Sequence, residues 1–394
     1  MTDVWGLAAL WLGLALIASL LSIWLRISTA LSEIVVGMIA QLIIGAAVGA
    51  AVLGTDESWV KFLSGLGAIV LTFLAGAELD PAVFRLKWKE ALSVGLASFF
   101  FPFLGCAAAA HYLLGWELMP SWLAGVAMST TSVAVVYAVM LEFGFNTTEY
   151  GKTILAACFV TDLGTVVALG LIFAPFTIKT LIFLGTGVVA FIVLPWITPR
   201  FFRLYGNRPS ELEAKFLLLC LLGMGALAAW ADSEAVLPAY LIGMVLAGTV
   251  GKDHALIRRL RTLTFGLLTP FYFIRAGSYV SIPDLVAAPI AFIIFLVVKV
   301  GTKIVGVYPV TKLFGSPNKE AMYTTLLMST GLTFGTISSL FGLSHGIIDQ
   351  AQYSSLVATV IASAVVPTAI ANAFYLPRHL LPKRESAAPD REAA

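Results

Sequence analysis

A chain of 394 residues could hold two or three water-soluble domains, but 59% of it is hydrophobic and only 12% charged, about half the charge such domains carry. Mean hydropathy is +0.95, and 34 Gly and 17 Pro are scattered through apolar stretches, as in helices whose solvent is the bilayer. The net charge of +2 leaves no electrostatic footprint for nucleic acid.

Apolar runs of about twenty residues, rather than the alternating ten-residue strands of a membrane barrel, predict spanning helices. In chain order they cover residues 4–25, 30–52, 59–79, 89–114, 119–141, 149–174, 178–199, 213–231, 234–251, 262–281, 285–311, 319–342 and 348–376, thirteen in all. The first begins after Asp3 with neither a basic leader nor a small-residue cleavage site, which predicts a retained helix. Cys106, Cys158 and Cys220 fall inside apolar runs without CxxC spacing, so buried thiols are expected in place of a disulfide frame or metal site. His111, His254, His345 and His379 are scattered and give neither zinc spacing nor a catalytic triad.

An odd number of spans puts the two ends on opposite sides of the membrane, and loop charge tests that count. Loops after odd-numbered spans, with the C-terminal tail, hold nineteen of the 24 Lys and Arg residues; loops after even-numbered spans hold only Lys61 and Lys179, and Arg275, Lys299 and Lys303 lie inside spans. A wrong count would scramble this segregation. The expected orientation is N-terminus outside and C-terminus cytoplasmic. Residues 377–394 form a short, charged, Ala-rich tail too small for a nucleotide-binding regulatory domain.

A repeat is visible at a spacing near 200 residues. Met128, Ser129 and Thr130 in span 5 recur as Met328, Ser329 and Thr330 in span 12, and Ala75–Gly76 in span 3 as Ala276–Gly277 in span 10. The matches link spans of opposite predicted direction, which points to inverted-topology repeats joined by span 7. Residues 1–376 are therefore expected to be one transmembrane transporter domain, with repeat one at about 4–174, a linker helix at about 178–199 and repeat two at about 213–376.

An ionisable side chain well inside a span costs roughly 2.5–3.5 kcal/mol on insertion scales, so each needs a reason. Asp162 sits in the middle of span 6, far from either interface. Its oxygens are hard ligands suited to a small cation or a proton; the plainer alternative is a protonated acid bonded to a neighbouring helix. Lys299 and Lys303 lie one turn apart on one face of span 11. Lys303, beside Gly301 and Gly306, is the expected partner or competitor of Asp162, with Lys299 as its alternate. Arg275 and Glu78 are expected to be structural charges: Arg275 paired with Glu78 or a helix-end carbonyl, Glu78 an interfacial anchor. The Ser, Thr and Gly of the repeated segments tolerate unwinding, so spans 5 and 12 are expected to be broken helices crossing near the midplane, with Thr130, Thr131, Ser132, Thr330 and Gly331 at the crossing and Asp162 facing it. Thr161, Thr131 and Ser132 are the oxygen-bearing neighbours expected to share the cation with Asp162.

At this point the chain resembles the sodium/proton exchanger superfamily, in particular the bacterial monovalent cation:proton antiporter-2 branch. The resemblance is carried by a collinear set: SEIVVGMIAQLIIGAAVG, FLAGAELD, TTSVAVV, FVTDLG, PFYFIRAGSYVSIPDL, KIVGVYP and STGLTFGTISSL. It implies an all-α membrane fold in which a core of broken and unbroken helices moves against a dimerising panel, usually as a homodimer in a bacterial inner membrane. It also implies a secondary antiporter exchanging Na+ or K+ for H+ by alternating access. The residue matching Asp162 would bind cation and proton in turn, with the base matching Lys303 beside it, and no resident cofactor. Three positions depart from the family pattern. Thr161 stands where an Asp or Asn is usual, Thr330–Gly331–Leu332 replaces an RGE-like triplet, and Arg275 replaces an apolar residue. A single acid predicts one-for-one electroneutral exchange, unless Lys303 releases a proton of its own.

The competing class is an inverted-repeat transporter of a small organic solute, which needs polar or aromatic side chains at the crossing; Tyr137 and Phe334 are the nearby candidates. An intramembrane enzyme would need a GxGD pair or a mid-membrane Ser and His, and neither is present. A carboxylate with a nearby lysine suits alternating access better than the multi-site conduction of a channel.

Overall fold

The computed structural model describes residues 4–25, 28–48, 53–77, 87–145, 148–173, 177–206, 208–231, 235–287 and 289–381. Glu78 and the tail beyond residue 381 lie outside the described residues. All regular structure among the described residues is helical. The chain runs α1 (Val4–Leu25), α2 (Thr29–Val48), α3 (Ser58–Ala77), α4 (Trp88–Ala108, extended by a π turn over Ala109–Leu113), α5 (Leu118–Ser129), α6 (Val133–Glu142), α7 (Glu149–Ile172) and α8 (Ile178–Tyr205). It continues as α9 (Leu212–Trp230), α10 (Val236–Leu246), α11 (His254–Leu263), α12 (Thr269–Ser278), α13 (Ile282–Ala287), α14 (Pro289–Leu313), α15 (Asn318–Met328), α16 (Thr333–Ser344) and α17 (Gln350–Ile370).

These helices account for the thirteen expected spans. Nine are long and apolar enough to cross a bilayer among the described residues, with α15 and α16 together making one of them. Of the other four, α2 is a 20-residue apolar helix over Thr29–Val48, span 5 is divided into α5 and α6, and α10 stops at Leu246 and gives way to turns. Span 10, expected at 262–281, starts earlier: Asp253 caps α11 by accepting from the Leu256 amide at 3.0 Å, and the following turns carry Arg258, Arg259 and Arg261, whose charge hid them from a hydropathy window. A π turn over Thr264–Leu268 then leads into α12. Elsewhere caps fall at the expected ends. Thr148 accepts from the Gly151 amide at 3.1 Å at the start of α7, and Asp349 with Gln352 forms a capping box on α17.

Packing follows a two-fold exchange between halves. Helix α2 packs on α12 while α3 packs on α10, the same pair of contacts with the halves swapped. Both crossings depend on glycine: a Cβ at Gly37 or Gly277 would strike the backbone across α2–α12 at Ile274 or Ile34, and one at Gly76 or Gly243 would strike it across α3–α10 at Tyr240 or Phe73. Likewise α4 packs on α5 and α7 as α14 packs on α15 and α17, and α4 meets α14 across the centre. The fold is therefore a pair of inverted-topology repeats, with broken helices α5–α6 and α15–α16 as equivalent elements. The broken helices and α4, α7, α14 and α17 make one body, and α1–α3 with α9–α12 make the panel beside it.

Candidate functional site

The two breaks meet. Thr130 is extended (φ −63°, ψ 154°), which ends α5, and α6 restarts at Val133; the partner break runs from Ser329 to Leu332. The Ser132 amide donates to the Thr330 carbonyl at 3.1 Å, and the Thr131 hydroxyl donates to the Met328 carbonyl at 2.8 Å. Thr130, Thr131, Ser132 and Thr330 are each at most 1% exposed. Carbonyls freed by unwinding are thus satisfied across the crossing rather than by water.

Both lysines of α14 reach this crossing fully buried, and they meet different surroundings. Lys303 Nζ donates to Ser98 Oγ at 2.6 Å, to the Ser129 carbonyl at 3.0 Å and to Thr131 Oγ1 at 3.0 Å. An ammonium has three protons, and here each has an acceptor. The Ser129 carbonyl closes α5, the negative end of a helix dipole, so a fixed cation there is favourable. Lys299 Nζ has no hydrogen-bond partner and rests against Gly331, in the second break, at the place any side chain there would take.

Asp162 lies in α7, 2% exposed, with Oδ1 accepting no hydrogen bond. No basic group among the described residues stands within ion-pairing distance of its carboxylate, Lys303 included. Thr161 points away: its hydroxyl donates to the Gly95 and Ala157 carbonyls, each at 3.1 Å, which fastens α7 to α4. Around Asp162 runs a set of neutral hydroxyls, with Ser98 Oγ 3.3 Å from Thr131 Oγ1 and Ser129 Oγ 3.0 Å from Thr165 Oγ1. A buried carboxylate with an unsatisfied oxygen, on a helix whose Thr165 meets Ser129 and whose Cys158 meets Met328, is chemically a group that takes a proton or a cation.

Residues 12–374 match the family described as sodium/hydrogen exchanger, transmembrane. The chain belongs to that family. Among relatives of this exchanger, it is 25% identical to a Na+/H+ antiporter of Enterococcus hirae, over 86% of this chain and 91% of the relative. It is 23% identical to the Na+/H+-K+ antiporter GerN of Bacillus cereus, over 84% and 87%. Cation/H+ antiporter 17 of Arabidopsis thaliana is 25% identical over 88% of this chain, which spans 46% of that longer protein. In three dimensions the exchanger superposes on the sodium proton antiporter MjNhaP1 of Methanocaldococcus jannaschii with a TM-score of 0.72 at 14% identity, covering 95% of this chain and 98% of that one.

Arg275 of the exchanger does not join the crossing. At the far end of α12, its Nε donates to the Thr55 carbonyl at 2.9 Å and Nη2 to the Tyr279 hydroxyl at 2.9 Å. Tyr279 in turn donates to Asp56 at 3.0 Å, and Lys61 pairs with Asp56 at 3.0 Å. The carbonyl partner is a loop residue between α2 and α3.

Sequence reasoning passed over two groups. Tyr240 of α10, fully buried, reaches from the panel to donate to the Phe159 carbonyl of α7 at 3.0 Å, one turn from Asp162, and its ring stands edge-on to Phe334 with centroids 5.9 Å apart. Its partner is a backbone oxygen, which leaves no mark in a sequence. Glu33, near the start of α2, is 2% exposed; its place close to a predicted span end hid it. Tyr137, by contrast, is exposed at 38%. Two cavities, of about 320 and 450 Å³, open at the ends of the molecule; neither is lined by Asp162 or by either break.

Proposed function

We propose that this exchanger swaps a monovalent cation, Na+ or K+, for protons by alternating access, with Asp162 as the position that holds either one. The carrying observation is the Asp162 carboxylate: 2% exposed, with an oxygen that accepts no hydrogen bond, on a helix that meets the end of α5 through Thr165 and the end of α15 through Cys158. An acid so placed is stable either protonated or neutralised by a cation, and these are the two loads of an antiport cycle. The names of the Enterococcus and Bacillus relatives, a Na+/H+ and a Na+/H+-K+ antiporter, support the ion class. Thr131 and Ser132 would contribute oxygens from the first break, whereas the Thr161 hydroxyl is already spent on backbone carbonyls. Lys303, with all three protons bonded, would act as the fixed charge that holds that break together.

A small organic solute fits less well, because it needs a pocket of roughly 300 Å³ or more, whereas Thr130, Thr131, Ser132 and Thr330 at the crossing are closed in to at most 1% exposure. Repeat one (4–174) and repeat two (213–376), linked through 178–199, would supply the two halves of the moving body and the panel. The segregation of basic residues supports an N-terminus outside and a C-terminus in the cytoplasm, and the resemblance to bacterial antiporters supports a homodimer in a bacterial inner membrane.

The test is transport by purified protein in liposomes with an imposed proton gradient, adding Na+, K+ and Li+ in turn. Asp162→Asn keeps size and hydrogen bonding but removes the titrating charge, so cation-driven proton flux should fall to background in a folded protein. Substantial exchange by this variant would sink the proposal.

A further inference from the structure

Among the described residues, hydrogen bonds join the body of broken helices to the panel at two depths. At the end of α12 that holds Arg275, the Tyr353 hydroxyl of α17 donates to the Ala276 carbonyl at 2.6 Å, the Ser281 amide donates to Ser354 Oγ at 2.9 Å, and the Gln350 side chain donates to the Tyr279 carbonyl. At the depth of Asp162 the link is Tyr240, whose hydroxyl donates to the Phe159 carbonyl at 3.0 Å. The backbone that carries Tyr240 has no play. A Cβ at Gly76 of α3 would strike the Tyr240 carbonyl itself, and one at Gly243 would strike the Phe73 carbonyl. The phenol is therefore a finger set in the panel that rests on the helix bearing the acid, its ring edge-on to Phe334 just past the second break.

The Phe159 carbonyl sits inside α7, where the helix amide four positions on already bonds it, so the Tyr240 hydroxyl can leave without stranding its acceptor. A side chain three positions further along a helix leans back over that carbonyl, which brings the Asp162 carboxylate alongside the phenol, and the two groups lie within electrostatic reach of each other. One Asp162 oxygen accepts no hydrogen bond. Lys303, the charged amine in reach of the acid, has its three protons on Ser98, Ser129 and Thr131. A hydrogen bond to an ionised acceptor is roughly twice as strong as one to a neutral carbonyl. We propose that Tyr240 is a positioning residue that keeps the exchange coupled. While Asp162 holds a proton or a cation, the hydroxyl stays on the Phe159 carbonyl and slides off as the body moves; when Asp162 is ionised and empty, the hydroxyl bonds the carboxylate and pins the body to the panel. The first bond breaks at little cost because its acceptor keeps the helix partner, whereas breaking the second leaves a bare buried charge. Only a loaded carrier then crosses. This rests on the role given to Asp162 above and extends it to the panel.

The experiment uses full-length protein in liposomes with the membrane potential clamped at zero and a fixed gradient of Na+, or of K+ if that is the ion carried. The pH difference that stops net cation flux is first found for the wild type. At that balance point a tightly coupled exchanger moves nothing, whatever its rate or stoichiometry, and return of an empty carrier shows as continued cation loss. Tyr240→Phe keeps the ring against Phe334 and removes the donor; its cation loss at the balance point should exceed the wild type's about tenfold, the scale of one charge-assisted hydrogen bond. para-Aminophenylalanine at position 240 restores a donor and should bring the loss back to the wild-type level. No excess loss from Tyr240→Phe overturns the proposal, as does equal loss from the amino variant. A merely loosened fold is told apart by combining Tyr240→Phe with Asp162→Asn: the loss should vanish, and loss that persists has bypassed the acid and overturns the proposal too. Failure of the Asp162 role is distinguishable, since it would show as exchange surviving in Asp162→Asn alone.

Discussion

The two breaks of this exchanger are equivalent in backbone and opposite in electrostatic finish. At the first, the end of α5 is clamped by the Lys303 ammonium through the Ser129 carbonyl. At the second, the end of α15 is met by neutral donors: the Thr131 hydroxyl on Met328 and the Ser132 amide on Thr330. Its nearby amine, Lys299, binds none of the freed carbonyls. Inverted repeats fix where chain can unwind, and side chains from neighbouring helices decide what each unwound segment does. One break is held rigidly, which suits a scaffold for Asp162. The other is closed by neutral donors and leaves the amine beside it unbonded.

Removing the clamp is the most forceful way to break this comparison. Lys303→Met leaves the Ser129 carbonyl and two hydroxyls short of a donor, and a buried acceptor left alone costs about 1–3 kcal/mol. We expect a loss of about 3 kcal/mol in detergent-solubilised thermal or denaturant unfolding, together with loss of exchange, whereas Lys299→Met should unfold close to the wild type. Equal destabilisation by both would erase the distinction between the breaks. Gly331→Ala sharpens it. A methyl there meets the Lys299 ammonium, with Thr130 Oγ1 at 2.9 Å and Ser363 Oγ at 3.3 Å, and overpacking of this kind costs about 1–2 kcal/mol. Much of that cost should be recovered in the Gly331→Ala, Lys299→Ala double variant, because shortening the lysine clears the space; strict additivity in unfolding would show that the two do not touch.

The outer cluster at Asp56 provides the smallest effect and a reference far from both breaks. The hydrogen bond from Lys61 is the main cause that holds the Asp56 carboxyl below its usual range, with Tyr279 and Arg275 adding to it. A depressed acid stabilises the fold above the unfolded value and loses that contribution as pH falls through the folded one. Asp56→Asn should thus be slightly less stable than wild type at every pH above about 4, with the gap closing in stronger acid. Its side chain is 71% exposed, so solvent screening keeps the difference small. A gap that widens toward acid pH would reverse the assignment.

Much of this was legible in the sequence, for identifiable reasons. Hydropathy marked the thirteen spans because bilayer thickness sets a helix length, and it missed the first turns of span 10 because Arg258, Arg259 and Arg261 mask an otherwise regular helix. The repeated Met-Ser-Thr segments marked the breaks because hydroxyls can stand in for lost backbone partners. Spacing put Lys299 and Lys303 on one face. It could not say that a single turn, about 5.4 Å of rise, carries one amine to the Ser129 carbonyl and the other past every acceptor. Tyr240 was invisible because it binds a main-chain oxygen eighty-one positions away, and the diversion of Thr161 toward Gly95 depends on how closely α4 approaches α7.

The hydroxyl pairs around Asp162 have one more consequence. In Ser129 with Thr165 either oxygen can be the donor, so that pair has two orientations with the same heavy-atom positions, whereas Thr131 gives its proton to the Met328 carbonyl and leaves Ser98 as the donor of the other pair. A reversible pair of this kind is electrically soft. It can turn its dipoles toward a negative load and away from a positive one within the time of a bond rotation, while the helices around it stay still. A site lined by carboxylates and fixed amides would have to shift atoms to accommodate each change of passenger; this one can answer by reversing the sense of a hydrogen bond.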